Sequence, residues 1–211
     1  MTARTEPEEF VFLKRLALEL GASDAKIIPT DLIAVEDRVV LKCKMGCDKY
    51  GKTLMCPPHA PTPEEFRKIV SEYNYAMFMK FPSKAEANEE LMTQLGKSQN
   101  DPTIPASMKE KVDKFWADWK DDKSDMLSQV IKLEKEAMKK GYLLTIGLVS
   151  GACLICEKCN VAEGICIHPA MSRYSEEGVG VNVQKTAKNA GILMTFPFEK
   201  KPESFALLLI D

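Results

Sequence analysis

The chain has 211 residues, of which 45% are hydrophobic and 28% charged, and its formal net charge is −2 at pH 7. These totals predict one globular domain, and the nearly balanced charge argues against nucleic acid as a partner. The sequence has neither an apolar run long enough to span a membrane nor an N-terminal signal peptide pattern. We therefore expect a cytoplasmic protein without a membrane partner.

Helical and extended patterns alternate in the first third of the chain. Apolar residues at three- to four-residue spacing predict a helix over 8–20. Segments rich in isoleucine, valine and leucine predict short strands over 25–28 and 32–41. A further helix is expected to begin after Thr62, because Thr62 and Glu65 have the spacing of a capping box.

The rest of the chain continues this mixture and completes one domain over residues 1–211. The further predicted elements are a strand over 75–81, a helix over 109–140, a strand over 142–149, a helix over 182–189 and strands over 192–195 and 205–210. We interpret residues 83–141 as a helical insertion. The order of elements predicts a compact α+β or α/β fold, with a mixed sheet, flanking helices and cysteine-rich loops at strand ends.

The densest cysteine group follows the strand predicted over 142–149. Its members are Cys153, Cys156, Cys159 and Cys166. Two consecutive two-residue gaps place three thiolates on one tight loop, as in the iron–sulfur run of bacterial ferredoxins. Zinc also accepts four thiolates, although zinc ribbons usually offer two separated pairs. The spacing favours a [4Fe–4S] cluster and leaves zinc or simple buried thiols as alternatives.

A second group consists of Cys43, Cys47 and Cys56. Three thiolates around a metal would leave one coordination position open for a substrate, and His59 could instead close the site as a fourth ligand. These cysteines could also be small buried hydrophobes. A further alternative is that both groups share one cluster.

The histidines and the cysteine count add two constraints. The chain has only two histidines, His59 and His168, and each lies close in sequence to a cysteine group. Each is therefore considered as a metal ligand or as support for one, beside an ordinary structural role. Seven cysteines cannot all pair with one another, and a reducing cytosol disfavours structural disulfides.

The cysteines belong to a longer pattern that covers most of the chain. It includes Cys56-Pro57-Pro58, Gly151-Ala152-Cys153 and Gly178-Val179-Gly180-Val181. Over roughly residues 38–211 this pattern resembles the family of predicted metal-binding proteins called DUF2284. The resemblance implies a cysteine-rich metal-binding or iron–sulfur protein of anaerobic bacteria and archaea, and it implies no particular reaction.

Three functions follow as hypotheses. The first is a [4Fe–4S] protein that transfers electrons or performs redox chemistry in anaerobic metabolism, with a redox protein as partner. The second is an enzyme that activates a substrate at an open metal site held by Cys43, Cys47 and Cys56. The third is a zinc-stabilised interaction module without chemistry of its own.

Overall fold

The computed structural model describes residues 7–97, 101–195 and 197–211. Short 3-10 turns occupy Glu8–Phe10 and Thr30–Leu32. The regular elements are, in chain order, α1 (Val11–Glu19), β1 (Asp24–Pro29), α2 (Val39–Gly46), α3 (Pro63–Val70), β2 (Tyr75–Pro82), α4 (Glu89–Leu95), α5 (Ala106–Lys139), β3 (Ile146–Val149), α6 (Val183–Ala190) and β4 (Glu203–Leu209).

The four strands form one sheet in the order β1-β2-β4-β3. Phe78 in β2 lies opposite Lys26 in β1 and Leu207 in β4, and Leu148 in β3 lies opposite Leu207. The predicted α+β class is confirmed. The predicted mixed sheet is wrong, because all three pairings are antiparallel. Alternation of strands and helices did not imply parallel neighbours here, since β2 and β4 are adjacent although three helices and β3 separate them in sequence.

Both faces of the sheet are covered. Met77 and Met79 of β2 face a core that includes residues of α1 and α5. Phe78 of β2 faces the opposite core, together with residues of α3 and α6. Because successive side chains of a strand point to opposite faces, the central strands are apolar at nearly every position. The sheet is therefore the middle layer between two sets of helices.

Helix α5 is a single helix of 34 residues, as the pattern over 109–140 allowed. Val130 and Leu133 in its C-terminal half belong to the core beside the sheet. Val112 and Phe115 in its N-terminal half pack in a separate cluster with residues of α4. No helix in the described part of the chain combines the length and the apolar character needed to cross a membrane.

Most predicted elements are confirmed, and two strands are wrong. The segment 32–41 contains the start of α2, and Val35 makes only an isolated bridge with Val181. Among the described residues no strand extends this bridge, and Val39 and Val40 lie in the first turn of α2. The segment 192–195 is irregular; Ile192 is buried after α6. The capping box between Thr62 and Glu65 is present.

Candidate metal centre

The cysteine loop that follows β3 begins at the edge of the sheet. The Ser150 amide donates a hydrogen bond to the Phe205 carbonyl of β4 (3.1 Å), and the Gly151 amide donates to the Glu177 carboxylate (3.1 Å). Gly151 has φ +81°, a conformation that residues with a side chain rarely adopt. These contacts fix the point at which the chain leaves the sheet and enters the loop that carries Cys153.

All four cysteines of the C-terminal group line one cavity of about 990 Å³. They are Cys153, Cys156, Cys159 and Cys166. Four lysines and a single glutamate also contribute to its lining. This excess of positive charge suits an anionic centre, because ligation by thiolates leaves a metal site negatively charged.

Several polar groups approach the sulfur atoms of this cavity. The Leu54 amide donates to Cys159 Sγ (3.4 Å), and Cys166 Sγ lies 3.3 Å from Ser172 Oγ. Burial raises the pKa of the Cys153 thiol, and the backbone amide of Ile155 partly opposes this effect. In the absence of a cation this thiol is therefore protonated at neutral pH, and a metal would have to displace the proton.

The N-terminal group is built by α2 and the turns that follow it. Cys43 lies in the last turn of α2, Cys47 directly follows the helix, and Cys56 is buried in the next set of turns. Burial raises the pKa of the Cys43 thiol, and proximity to Cys47 and Cys56 raises it further. Burial also raises the pKa of Cys56. The three thiols are therefore close enough to interact electrostatically.

The two groups meet in what we call the cysteine region, residues 43–61 and 150–178. The backbone amide of Cys153 lies close enough to the Cys56 thiol to lower its pKa against the larger effect of burial. The Ser175 amide donates to the Met55 carbonyl (3.2 Å), which joins the two segments by their backbones. The structure thus brings both predicted cysteine groups to the same end of β3.

The thiols do not converge on one point. Within residues 7–97, 101–195 and 197–211, no set of three or more His, Cys, Asp or Glu side chains is arranged to hold a single metal ion. His168 is exposed and lines the cysteine cavity, whereas His59 is exposed and is not among the residues that line it. The C-terminal cysteines thus line an open cavity rather than a closed mononuclear site, and Cys43, Cys47 and Cys56 are not among the residues that line it.

Sequence patterns missed two neighbouring glutamates in the cysteine region. Glu177 accepts hydrogen bonds from the Gly151 amide and from Ser175 Oγ (2.9 Å), and its charge raises the pKa of Cys43 and Cys56. The Glu176 side chain is fully buried, and its carboxyl oxygens have no hydrogen-bond partner among the described residues. Burial raises its pKa well above the ordinary value of 4.5. The only local hint in the sequence was that the two glutamates directly precede the glycine-containing pattern that begins at Gly178.

Comparison with known proteins supports the metal-binding interpretation at the level of the family. The family model described as predicted metal-binding protein (DUF2284) matches residues 26–210. No curated protein and no solved structure matches this chain. Because the match covers nearly the whole fold and both cysteine groups, the chain belongs to the DUF2284 family of predicted metal-binding proteins.

Proposed function

We propose that this protein binds an iron–sulfur cluster of the [4Fe–4S] type through Cys153, Cys156, Cys159 and Cys166. The observation that carries the proposal is the single cavity that all four of these residues line. When bound, such a cluster would supply one-electron redox chemistry. The protein would then accept an electron from a redox protein partner and pass it on, in the anaerobic metabolism that the family resemblance implies.

The size of the cavity favours a polynuclear centre over zinc. A structural zinc ion is surrounded by four sulfur atoms at about 2.3 Å, which requires the thiols to converge on a point. The four cysteines instead line separate parts of a cavity of about 990 Å³, and no three potential ligands among the described residues converge on one point. A cluster with several metal atoms meets separate thiolates at separate corners, and this arrangement suits the dispersed cysteines.

The surroundings of the sulfur atoms also support a redox role. The Leu54 amide directed at Cys159 Sγ is the kind of hydrogen bond that tunes the potential of thiolate-ligated clusters. Lys49, Lys52 and Lys158 line the same cavity. Their charge favours the reduced, more negative state of a cluster, and it would also attract an acidic redox partner.

The N-terminal group supports a second candidate function. Cys43, Cys47 and Cys56 lie together without a fourth cysteine, and His59 is exposed. A metal held by three thiolates would keep an open position and supply Lewis-acid chemistry to a substrate. Because this group adjoins the loop of Cys153, such an enzyme could exchange electrons between the two centres.

Chemical analysis of anaerobically purified protein tests the leading proposal. We expect about four iron atoms and four acid-labile sulfides per chain, with an absorbance that bleaches on reduction. Stoichiometric zinc without acid-labile sulfide would overturn the iron–sulfur proposal and favour the zinc-stabilised interaction module. In the second candidate function, changing His59 to Ala leaves the metal content unaltered.

A further inference from the structure

A second cavity, of about 540 Å³, lies on the other side of the Cys153 segment. One wall is α5, and the opposite wall is formed by residues 149–150 and 152–155 with Met171 and Arg173. It shares only Cys153, Leu154 and Ile155 with the cysteine cavity. A ligand bound here would thus lie directly behind the backbone that carries Cys153. The volume is within the range of small-molecule sites.

The charged side chains that line this second cavity are basic. Its lining includes Lys123, Lys132, Lys135 and Arg173, and no aspartate or glutamate of the described residues lines it. Arg173 is engaged by Glu134, with Nε 2.5 Å from Oε1. Burial lowers the pKa of Lys123, and the nearby carboxylate of Glu177 partly opposes this effect. Lys132 and Lys135 are exposed on α5. The lining therefore carries an excess of positive charge, although Glu134 engages Arg173 and the Glu177 carboxylate lies near Lys123.

Lys123 is the most constrained of these cations. Its ammonium lies 4.4 Å from the centre of the Trp119 ring. It also lies so close to Gly151 that a side-chain carbon at position 151 would be 2.6 Å from Nζ. Packing against an aromatic ring and a backbone holds the ammonium at the inner end of the cavity. A lysine fixed in this way offers a preorganised charge to an anion.

The remaining lining is largely apolar. It consists of Leu127, Ile131, Val149, Leu154, Ile155 and Met171. Hydroxyl groups of Ser124, Ser128 and Ser150 are interspersed. A site of this composition fits a molecule with a hydrophobic body and one anionic group, because a few placed polar groups then fix its orientation.

We propose that this cavity binds a small organic anion, with its carboxylate or phosphate group near Lys123 and its apolar body against α5. This site is independent of the metal proposed for the cysteine cavity. It adds a candidate substrate site beside the cysteine cavity, which a simple electron carrier would not require.

Calorimetric titration of the whole, anaerobically purified chain with hexanoate, hexyl phosphate and 1-hexanol tests the proposal. We expect the two anions to bind with an affinity that falls as salt increases, and the neutral alcohol to bind at least tenfold more weakly. A preference between hexanoate and hexyl phosphate then identifies the anionic group. Equal binding of all three compounds, or no binding of the anions, would overturn the proposal.

Two variants locate the site. Lys123→Met keeps the aliphatic side chain and should weaken anion binding about tenfold, because it removes one charged partner. Ser128→Trp fills the cavity from an exposed position on α5 and should abolish binding without removing a charge. Lys111→Met, an exposed change on the same helix that lines neither cavity, is the matched control.

Unchanged anion binding in folded Ser128→Trp protein would place the anion elsewhere and contradict the proposal. Circular dichroism of each variant shows whether it is folded. Hexanoate binding to a protein that carries zinc and no sulfide would leave this inference standing while it removed the iron–sulfur proposal.

Discussion

The sheet and the cysteine region are stabilised in different ways. Phe78 in β2 and Leu207 in β4 are completely buried between two layers of helices. In the cysteine region, Ile165 and Ile167 are 67% and 59% exposed, and residues 150–178 contain no helix or strand. Apolar burial can therefore hold the sheet by itself. We expect a metal bound by its thiols to contribute to the stability of the cysteine region, where apolar burial contributes less.

One buried ion pair connects the two regions. Glu134 on α5 accepts a hydrogen bond from the Gly147 amide of β3 (2.5 Å) and holds the guanidinium of Arg173. Arg173 belongs to the segment that returns from the cysteine loop. Because its partner is anchored to the sheet, this pair holds the segment around Arg173 against the sheet independently of any metal.

The largest expected loss of stability follows from a substitution in the core of the sheet. Phe78→Ala removes a buried ring that stacks on Phe205 and should lower the free energy of unfolding by about 3–5 kcal/mol. Urea denaturation of metal-loaded and metal-stripped protein should give the same loss. Leu144→Ala, at a residue that is 79% exposed, is the control and should change stability by less than about 0.5 kcal/mol. A loss confined to the metal-loaded protein would contradict the distinction between the two regions.

Breaking the ion pair between Arg173 and Glu134 should have the next largest effect on the free energy of unfolding. Arg173→Ala leaves the Glu134 carboxylate buried without its cation and should cost about 3 kcal/mol of unfolding free energy. Lys139→Ala breaks an exposed pair with Glu136 and should cost at most about 1 kcal/mol. Thermal or urea unfolding measures both. Equal, small losses would show that Arg173 does not anchor the cysteine region.

A smaller effect, dependent on pH, is expected at Glu176. Burial raises the pKa of Glu176 in the folded state. The contribution of Glu176 to the free energy of unfolding is therefore complete below about pH 4.5 and is lost as the pH rises toward the folded-state pKa. The loss is up to about 1.4 kcal/mol per pH unit. Glu176→Gln should remove this slope.

Urea unfolding between about pH 5 and pH 8 measures the slope in the wild type and in the variant. Glu163→Gln, at an exposed glutamate of the same loop, is the matched control. Parallel pH profiles for the wild type and Glu176→Gln would contradict the assignment of a protonated, buried Glu176.

The sequence predicted the strands of the sheet better than the contacts of the cysteine region. Strand patterns are local in the sequence, whereas those contacts join residues that are far apart in the chain. Strands 75–81 and 205–210 have local apolar patterns that match β2 and β4. The valine-rich segment 32–41 has a similar pattern, but no neighbouring strand extends its single bridge. Local composition cannot distinguish these cases, because the difference lies in a distant partner.

The same limit applies to the candidate site. Spacing identified Cys153, Cys156 and Cys159 as one group without structural information, and all three line one cavity. The contact of this loop with the N-terminal group is made by residues far apart in sequence, such as the Leu54 amide and Cys159 Sγ. The hydrogen bond from the Gly151 amide to Glu177 could not be predicted for the same reason, because the two residues are 26 positions apart in the sequence.

The central claim is that the C-terminal cysteines hold the cluster, and one comparison tests it most directly. Iron and acid-labile sulfide are measured in anaerobically purified Cys156→Ala and Cys47→Ala. We predict that Cys156→Ala loses the four-iron cluster and its visible absorbance, whereas Cys47→Ala retains about four iron atoms and four sulfides per chain. Full retention of iron and sulfide in Cys156→Ala, or loss of both only in Cys47→Ala, would contradict the claim.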